Sequence, residues 1–70
     1  MMPLMVADRA KFFEVAKVSG DDKTRAHLEN LGFVPGAKVQ VISELGGNLI
    51  VNIKDTRIAL DKSLAMKILV

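Results

Sequence analysis

The chain has 70 residues, half of them hydrophobic, with ten basic and eight acidic side chains and a formal charge of +2. That length supports one small domain, and its Val, Ile, Leu, Ala and Met content is core enough to fold without a metal or disulfide staple. Cysteine is absent, which removes disulfides and thiolate metal sites together, and the interspersed charges leave no Lys/Arg block to track a phosphate backbone.

Met1 to Ala7 is expected to lie extended, because Pro3 disfavours helix at the residue before it. The segment lacks the charged start, long apolar core and cleavage site of a signal peptide, and no apolar run spans a bilayer, so the expectation is a soluble cytoplasmic protein. Asp8 to Lys11 reads as a turn. Phe13, Val15 and Val18 mark the first strand, with Glu14 and Lys17 on its other side; the broken alternation predicts a bulge or bend between Val15 and Val18. Ser19-Gly20-Asp21-Asp22 closes the strand and opens a helix. Ser19 and Asp22 have capping-box spacing, and Asp21 is an equally good cap.

The helix is predicted over Asp22 to Leu31, with Thr24, Leu28 and Leu31 on one face. Gly32 is placed to end it in a left-handed conformation, and Phe33 to fold back on Leu28. Pro35-Gly36 suits the centre of a type II turn. Val39 to Glu44 and Leu49 to Ile53 read as strands joined by Gly46-Gly47-Asn48. Lys54-Asp55 turns the chain into a further strand, Thr56 to Leu60. Leu49, Val51 and Ile53 face one way, and Ile58 and Leu60 can pack beside them. Asp61 to Ala65 is a single helical turn, and Ile68 to Val70 a last strand.

That order predicts a mainly β fold, a small SH3-like barrel of about five strands, with one helix after the first and a helical turn before the last. Closing the sheet protects its edges, which favours the barrel over a split α+β sheet.

The run Leu31-Gly32-Phe33-Val34-Pro35-Gly36-Ala37-Lys38-Val39, followed by Gly47-Asn48-Leu49-Ile50-Val51, Arg57-Ile58-Ala59-Leu60-Asp61 and Ala65-Met66-Lys67-Ile68-Leu69-Val70, resembles the FeoA family. The likeness covers nearly the whole chain. Asp8-Arg9-Ala10-Lys11 stands where that family often has Pro-Gly-Glu, Ser63 where glycine is frequent, and Met66 where a polar residue is. The resemblance implies an SH3-like barrel in the cytosol, peripheral to the inner membrane only through its partner. That partner would be the cytoplasmic G-protein region of the FeoB ferrous iron permease. Similar barrels form the C-terminal part of iron- and manganese-responsive repressors, an alternative that the absence of a helix-turn-helix disfavours.

The residues themselves point away from catalysis. No serine has an acid–base pair beside it in the pattern. His27, the only histidine, has Lys23, Thr24, Asn30 and Leu31 as helix neighbours, so the helix presents no paired metal site. It reads as a surface histidine and is the one candidate for a weak transition-metal contact; Asp21, Asp22 or Asp55 would have to converge to add hard ligands. No cofactor is expected. Arg9, Arg25 and Arg57 are candidates for the arginine of a GTPase activator, Arg25 foremost because it lies on the exposed helix near the turn. Tyrosine and tryptophan are absent, which argues against a groove for proline-rich peptides and against nucleic-acid stacking.

The expected function is therefore protein–protein contact. The candidate contact residues are Arg25 on the helix, the turn Phe33, Val34, Pro35 and Gly36, and Ile50. Alternation sends Ile50 away from Leu49 and Val51, and Ile42 poses the same problem beside Val41. The segment holding Met1, Met2, Leu4 and Met5 is available either to cover such residues or to meet a partner.

Overall fold

Pro3 does not simply extend the first segment; it caps a turn. The structure, a computed structural model, describes residues 1–70 and begins with a 3-10 helix, Leu4–Val6, preceded by extended Pro3. This corrects the expectation of an extended start. The turn drives Leu4 into the core, where it is fully buried. The chain end nevertheless does strand work. Met2 exchanges two backbone hydrogen bonds with Val70, at 2.9 and 2.8 Å, and Pro3 forms an isolated bridge to Leu69.

The expected first strand is two short ones, β1 (Phe12–Glu14) and β2 (Lys17–Val18), broken at the anticipated bend. The barrel thus has six strands rather than five. Helix α1 (Asp22–Leu31) follows, then β3 (Lys38–Leu45), β4 (Asn48–Ile53) and β5 (Thr56–Asp61), the short helix α2 (Lys62–Ala65) and β6 (Ile68–Leu69). All pairings are antiparallel. One sheet has the order β1-β3-β4-β5, and β2 pairs with β6 in the second. The Val15-Ala16 break lets one run of chain serve both sheets, because Ala16 N–H donates to Leu69 O at 2.8 Å just beyond β1.

Two-residue turns set the register of the meander. Gly46 and Gly47 have φ of 60° and 84°, and Lys54 and Asp55 have 50° and 61°. Positive φ at both positions is the mark of a type I′ turn, whose twist matches that of the strands it joins. The register then places Val39 opposite Ile53, Val41 opposite Val51 and Leu49 opposite Leu60. All six face the core and are at most 1% exposed.

Ile42 is the extra residue of a β-bulge. The register passes from Val41–Val51 directly to Ser43–Ile50. The bulge resolves the conflict of adjacent Val41 and Ile42, since an inserted residue breaks the period of two. The core is a single cluster of 13 apolar residues drawn from every part of the chain, with no polar or charged side chain fully buried in it.

Candidate partner-binding face

Helix α1 is fixed at its start by Asp21. Its carboxylate accepts from Thr24 N–H at 2.8 Å, and its backbone is extended, as an N-cap requires. Of the two capping arrangements open in the sequence, Asp21 is the one used. Ser19 instead donates its hydroxyl to Lys67 O at 3.1 Å. The hydrogen bond from the Thr24 amide, and then that from its side chain, hold the Asp21 carboxyl below its ordinary value of 3.8.

The other end is a Schellman motif. Gly32 has φ 112°, its N–H donates to Glu29 O, and Phe33 N–H donates to Leu28 O. A type II turn follows at once. Ala37 N–H donates to Val34 O at 2.9 Å across Pro35-Gly36, and Gly36 has φ 89°. Two bonds of 2.8 Å lock this turn to the body: Gly36 N–H to Val15 O, and Val15 N–H to Ala37 O.

A cleft of about 220 Å³ lies where helix, turn and β2 meet. Ala16, Lys17, Val18, Arg25, Glu29 and Pro35 line it. Arg25 and Glu29 are one helical turn apart, and Arg25 is ion-paired with Asp22 on the same helix while staying 48% exposed. Charges of both signs thus border apolar Ala16, Val18 and Pro35. Such a surface can receive a polar segment of another protein. Its ionisable groups are Lys17, Arg25 and Glu29.

The structure sorts the sequence-predicted residues into three groups. Arg25 and Pro35 meet in the cleft, with exposed Gly36 beside Pro35. Phe33 is a correction: its side chain is 0% exposed and cannot touch a partner. Its place after a left-handed glycine turns it inward against Leu28, so it positions the turn instead. Val34 is only half-buried. Ile50 stands apart from the cleft, half-buried on the outer face of the larger sheet, opposite Ser43 and Ala59.

The remaining candidates do not converge. Arg9 is tied to Glu44 at 2.7 Å and to the carbonyl of Ala7 at 2.9 Å. Arg57 is exposed and has no ionic partner within the chain. His27 is exposed, Asp21 caps the helix, Asp22 faces Arg25, and Asp55 sits in the β4–β5 turn. No three His, Cys, Asp or Glu side chains are grouped as a metal site would need.

A second groove lies apart from the sequence-predicted contact residues. Phe12, Ala37, Lys38, Asn52, Lys54 and Asp55 line a groove of about 320 Å³, with Phe12 62% exposed. The signal was available, since an inward Phe13 sends Phe12 outward by alternation.

Six short strands in two antiparallel sheets around one core, with a helix after the second strand and a cleft on the surface, define a small SH3-like domain. The chain belongs to the FeoA family, whose domain matches residues 2–70. It is 33% identical over 70 residues to a Methanocaldococcus jannaschii protein named as an Fe(2+) transport protein A, covering all of this chain and 85% of that one. The zinc-complexed crystal structure of Stenotrophomonas maltophilia FeoA, described as a procaryotic SH3 domain protein, superposes with a TM-score of 0.84. The two are 29% identical, over 99% of this chain and 88% of that one. A manganese-dependent transcriptional repressor shares the fold alone, at 20% identity and a TM-score of 0.83, over 94% of this chain and 38% of its own. The family is implicated in ferrous iron transport. No helix of the chain is long and apolar enough to cross a membrane.

Proposed function

We propose that this protein is an accessory and regulator of ferrous iron uptake that docks on the cytoplasmic G-protein region of the FeoB permease. It would act in the cytosol, without a cofactor of its own and without turning over a substrate. Family membership and the Fe(2+) transport relative support the iron system. The mode of action rests on one observation: Arg25 and Pro35, on separate elements, line the same surface cleft, held by a helix cap and a pinned turn. A preorganised face loses little conformational freedom on binding, which favours affinity from a small area.

Titration of the permease's cytoplasmic region with this protein tests the reading. Binding is expected, with Arg25→Glu weakening it by about tenfold through reversal of a charge at the contact. No binding at high micromolar concentration overturns it. A second reading, a GTPase activator, draws on Arg25 being held only by Asp22 on its own helix, where a partner can displace it. Equal GTP hydrolysis by the permease region with and without the protein excludes that reading and leaves docking intact.

A further inference from the structure

Strand β5 ends the larger sheet, and its outer edge is paired with nothing. The chain direction there is set by the two-residue turn Lys54-Asp55, which makes Ile53–Thr56 a hydrogen-bonded pair. Pairs alternate along an antiparallel ladder, so Thr56, Ile58 and Leu60 turn their backbone groups to β4, and Arg57, Ala59 and Asp61 turn theirs outward. None of the 17 backbone hydrogen bonds made outside the ladders and helices involves Arg57, Ala59 or Asp61. All three residues are exposed. No proline or bulge interrupts this six-residue edge, two of the features that otherwise keep edges from pairing.

We propose that a second copy of this chain pairs along this edge, β5 against β5, antiparallel about a two-fold axis through Ala59. The charges select the register. Arg57, Ala59 and Asp61 share the outer face of the strand. An axis through Ala59 sets Arg57 opposite Asp61 of the second copy, twice by symmetry, with two small alanines at the centre. An axis through Arg57 or through Asp61 puts like charges face to face, and one through Ile58 or Leu60 sets a charge against Ala59 and leaves the ion pairs unmade. Both partners are available. Arg57 makes no ion pair or hydrogen bond within the chain. Asp61 uses Oδ1 to accept from Leu64 N–H at 2.8 Å, which leaves Oδ2 for the guanidinium.

The backbone follows the same register. The Ala59 pair exchanges two hydrogen bonds, and each Asp61 N–H donates to the Arg57 carbonyl of the other copy. The Asp61 carbonyl is engaged elsewhere, since an N-cap residue accepts the first bond of its helix. The result is a continuous eight-stranded sheet with an isologous interface. It uses an edge that contributes no residue to the cleft of Arg25 and Pro35, so a dimer would carry two such clefts.

Sedimentation velocity on the full chain from micromolar to millimolar concentration tests this. The expected result is a concentration-dependent dimer that weakens with added salt. Arg57→Asp sets acid against acid and is expected to raise the dissociation constant by about tenfold or more. Ala59→Pro removes an outward N–H while sparing the β4 ladder, and is expected to give a monomer with unchanged circular dichroism. Should that variant fail to fold, Arg57→Asp decides alone. A wild-type monomer at every concentration, or a dimer indifferent to Arg57→Asp, overturns the proposal.

Discussion

Phe33 donates its amide to the Leu28 carbonyl at 3.1 Å, and both side chains are completely shielded from water. This contact closes the end of α1 and starts the turn that carries Pro35. It therefore sets the separation between Arg25 on the helix and Pro35 on the turn, the two residues that define the cleft. Gly32 lies between the contact partners at φ 112°.

Gly32→Ala is expected to destabilise the fold by about 1–2 kcal/mol, the usual penalty for an L-residue forced into a left-handed conformation. Space contributes little to this cost. A Cβ there would lie 3.3 Å from Cδ of Lys54, a flexible side chain that can move aside. Urea unfolding measures the loss. A variant equal to wild type would show that the helix end relaxes, and with it the geometry of the cleft.

Leu4→Ala is expected to cost about 2–5 kcal/mol, since it empties a fully buried site in a small core. The same measurement on Met5→Ala, which is only partly buried against the core, should show a smaller effect. The contrast checks that the 3-10 turn, rather than general apolarity of the N-terminal segment, anchors the chain start.

That anchor marks the boundary of what the sequence makes legible. Helix α1, its glycine stop, the type II turn and the three-strand meander follow from local rules, because each is fixed by residues within a few places of one another. Pro35-Gly36 and Gly46-Gly47 each name their own turn. The burial of Leu4 does not follow, because it depends on Met2 meeting Val70 and Pro3 meeting Leu69, contacts across nearly the whole chain. The split of the first strand at Val15-Ala16 was visible as broken alternation, but its two sheet assignments were not. In the cleft, Arg25 and Pro35 were readable from exposure and turn chemistry. Lys17 and Glu29 were not, since only the packed fold brings β2 beside the helix. Phe33 belongs to the turn that carries the candidate contacts, yet the C-cap rule that folds it back on Leu28 takes it out of that surface.

Stability should depend on acid through Asp21. Its carboxyl titrates below the ordinary value of 3.8 because the charged form accepts the Thr24 amide. A carboxyl whose folded pKa is depressed stabilises the fold above its unfolded pKa. That contribution is lost as pH falls through the lower folded value. The urea midpoint is therefore expected to drop below about pH 4 in the wild type. Asp21→Asn keeps a capping oxygen and removes the titration, so its curve should be flatter in that range. Parallel curves would assign the acid sensitivity to another carboxylate.

The cap of α2 offers a cleaner energetic test. Asp61 accepts the Leu64 amide at 2.8 Å, and Asp61→Ala is expected to cost about 1 kcal/mol, the common value for losing an N-cap. It should also remove the acidic half of the β5 edge. Stability is read from unfolding at low protein concentration and association from sedimentation at high concentration, so the two consequences separate.

The β4–β5 turn holds residues poorly suited to it. Lys54 and Asp55 both take positive φ, 50° and 61°, where the left-handed conformation costs a residue with a Cβ about 1–2 kcal/mol. Replacing the pair by Asn-Gly relieves that strain fully at the glycine and partly at the asparagine, whose short polar side chain tolerates the left-handed region, but the glycine also adds freedom to the unfolded chain worth about 0.4–1 kcal/mol. The first effect is the larger, so Lys54→Asn with Asp55→Gly is expected to stabilise the protein by about 0.5–1 kcal/mol. Ala10, at φ 67° where its N–H bonds Val41 O, should respond to Ala10→Gly in the same direction but less, having one strained residue rather than two. Differential unfolding of the three proteins checks the order. A loss of stability in the Asn-Gly variant would mean that the Lys54 stem, which packs over Gly32, matters more than the strain of the turn it belongs to.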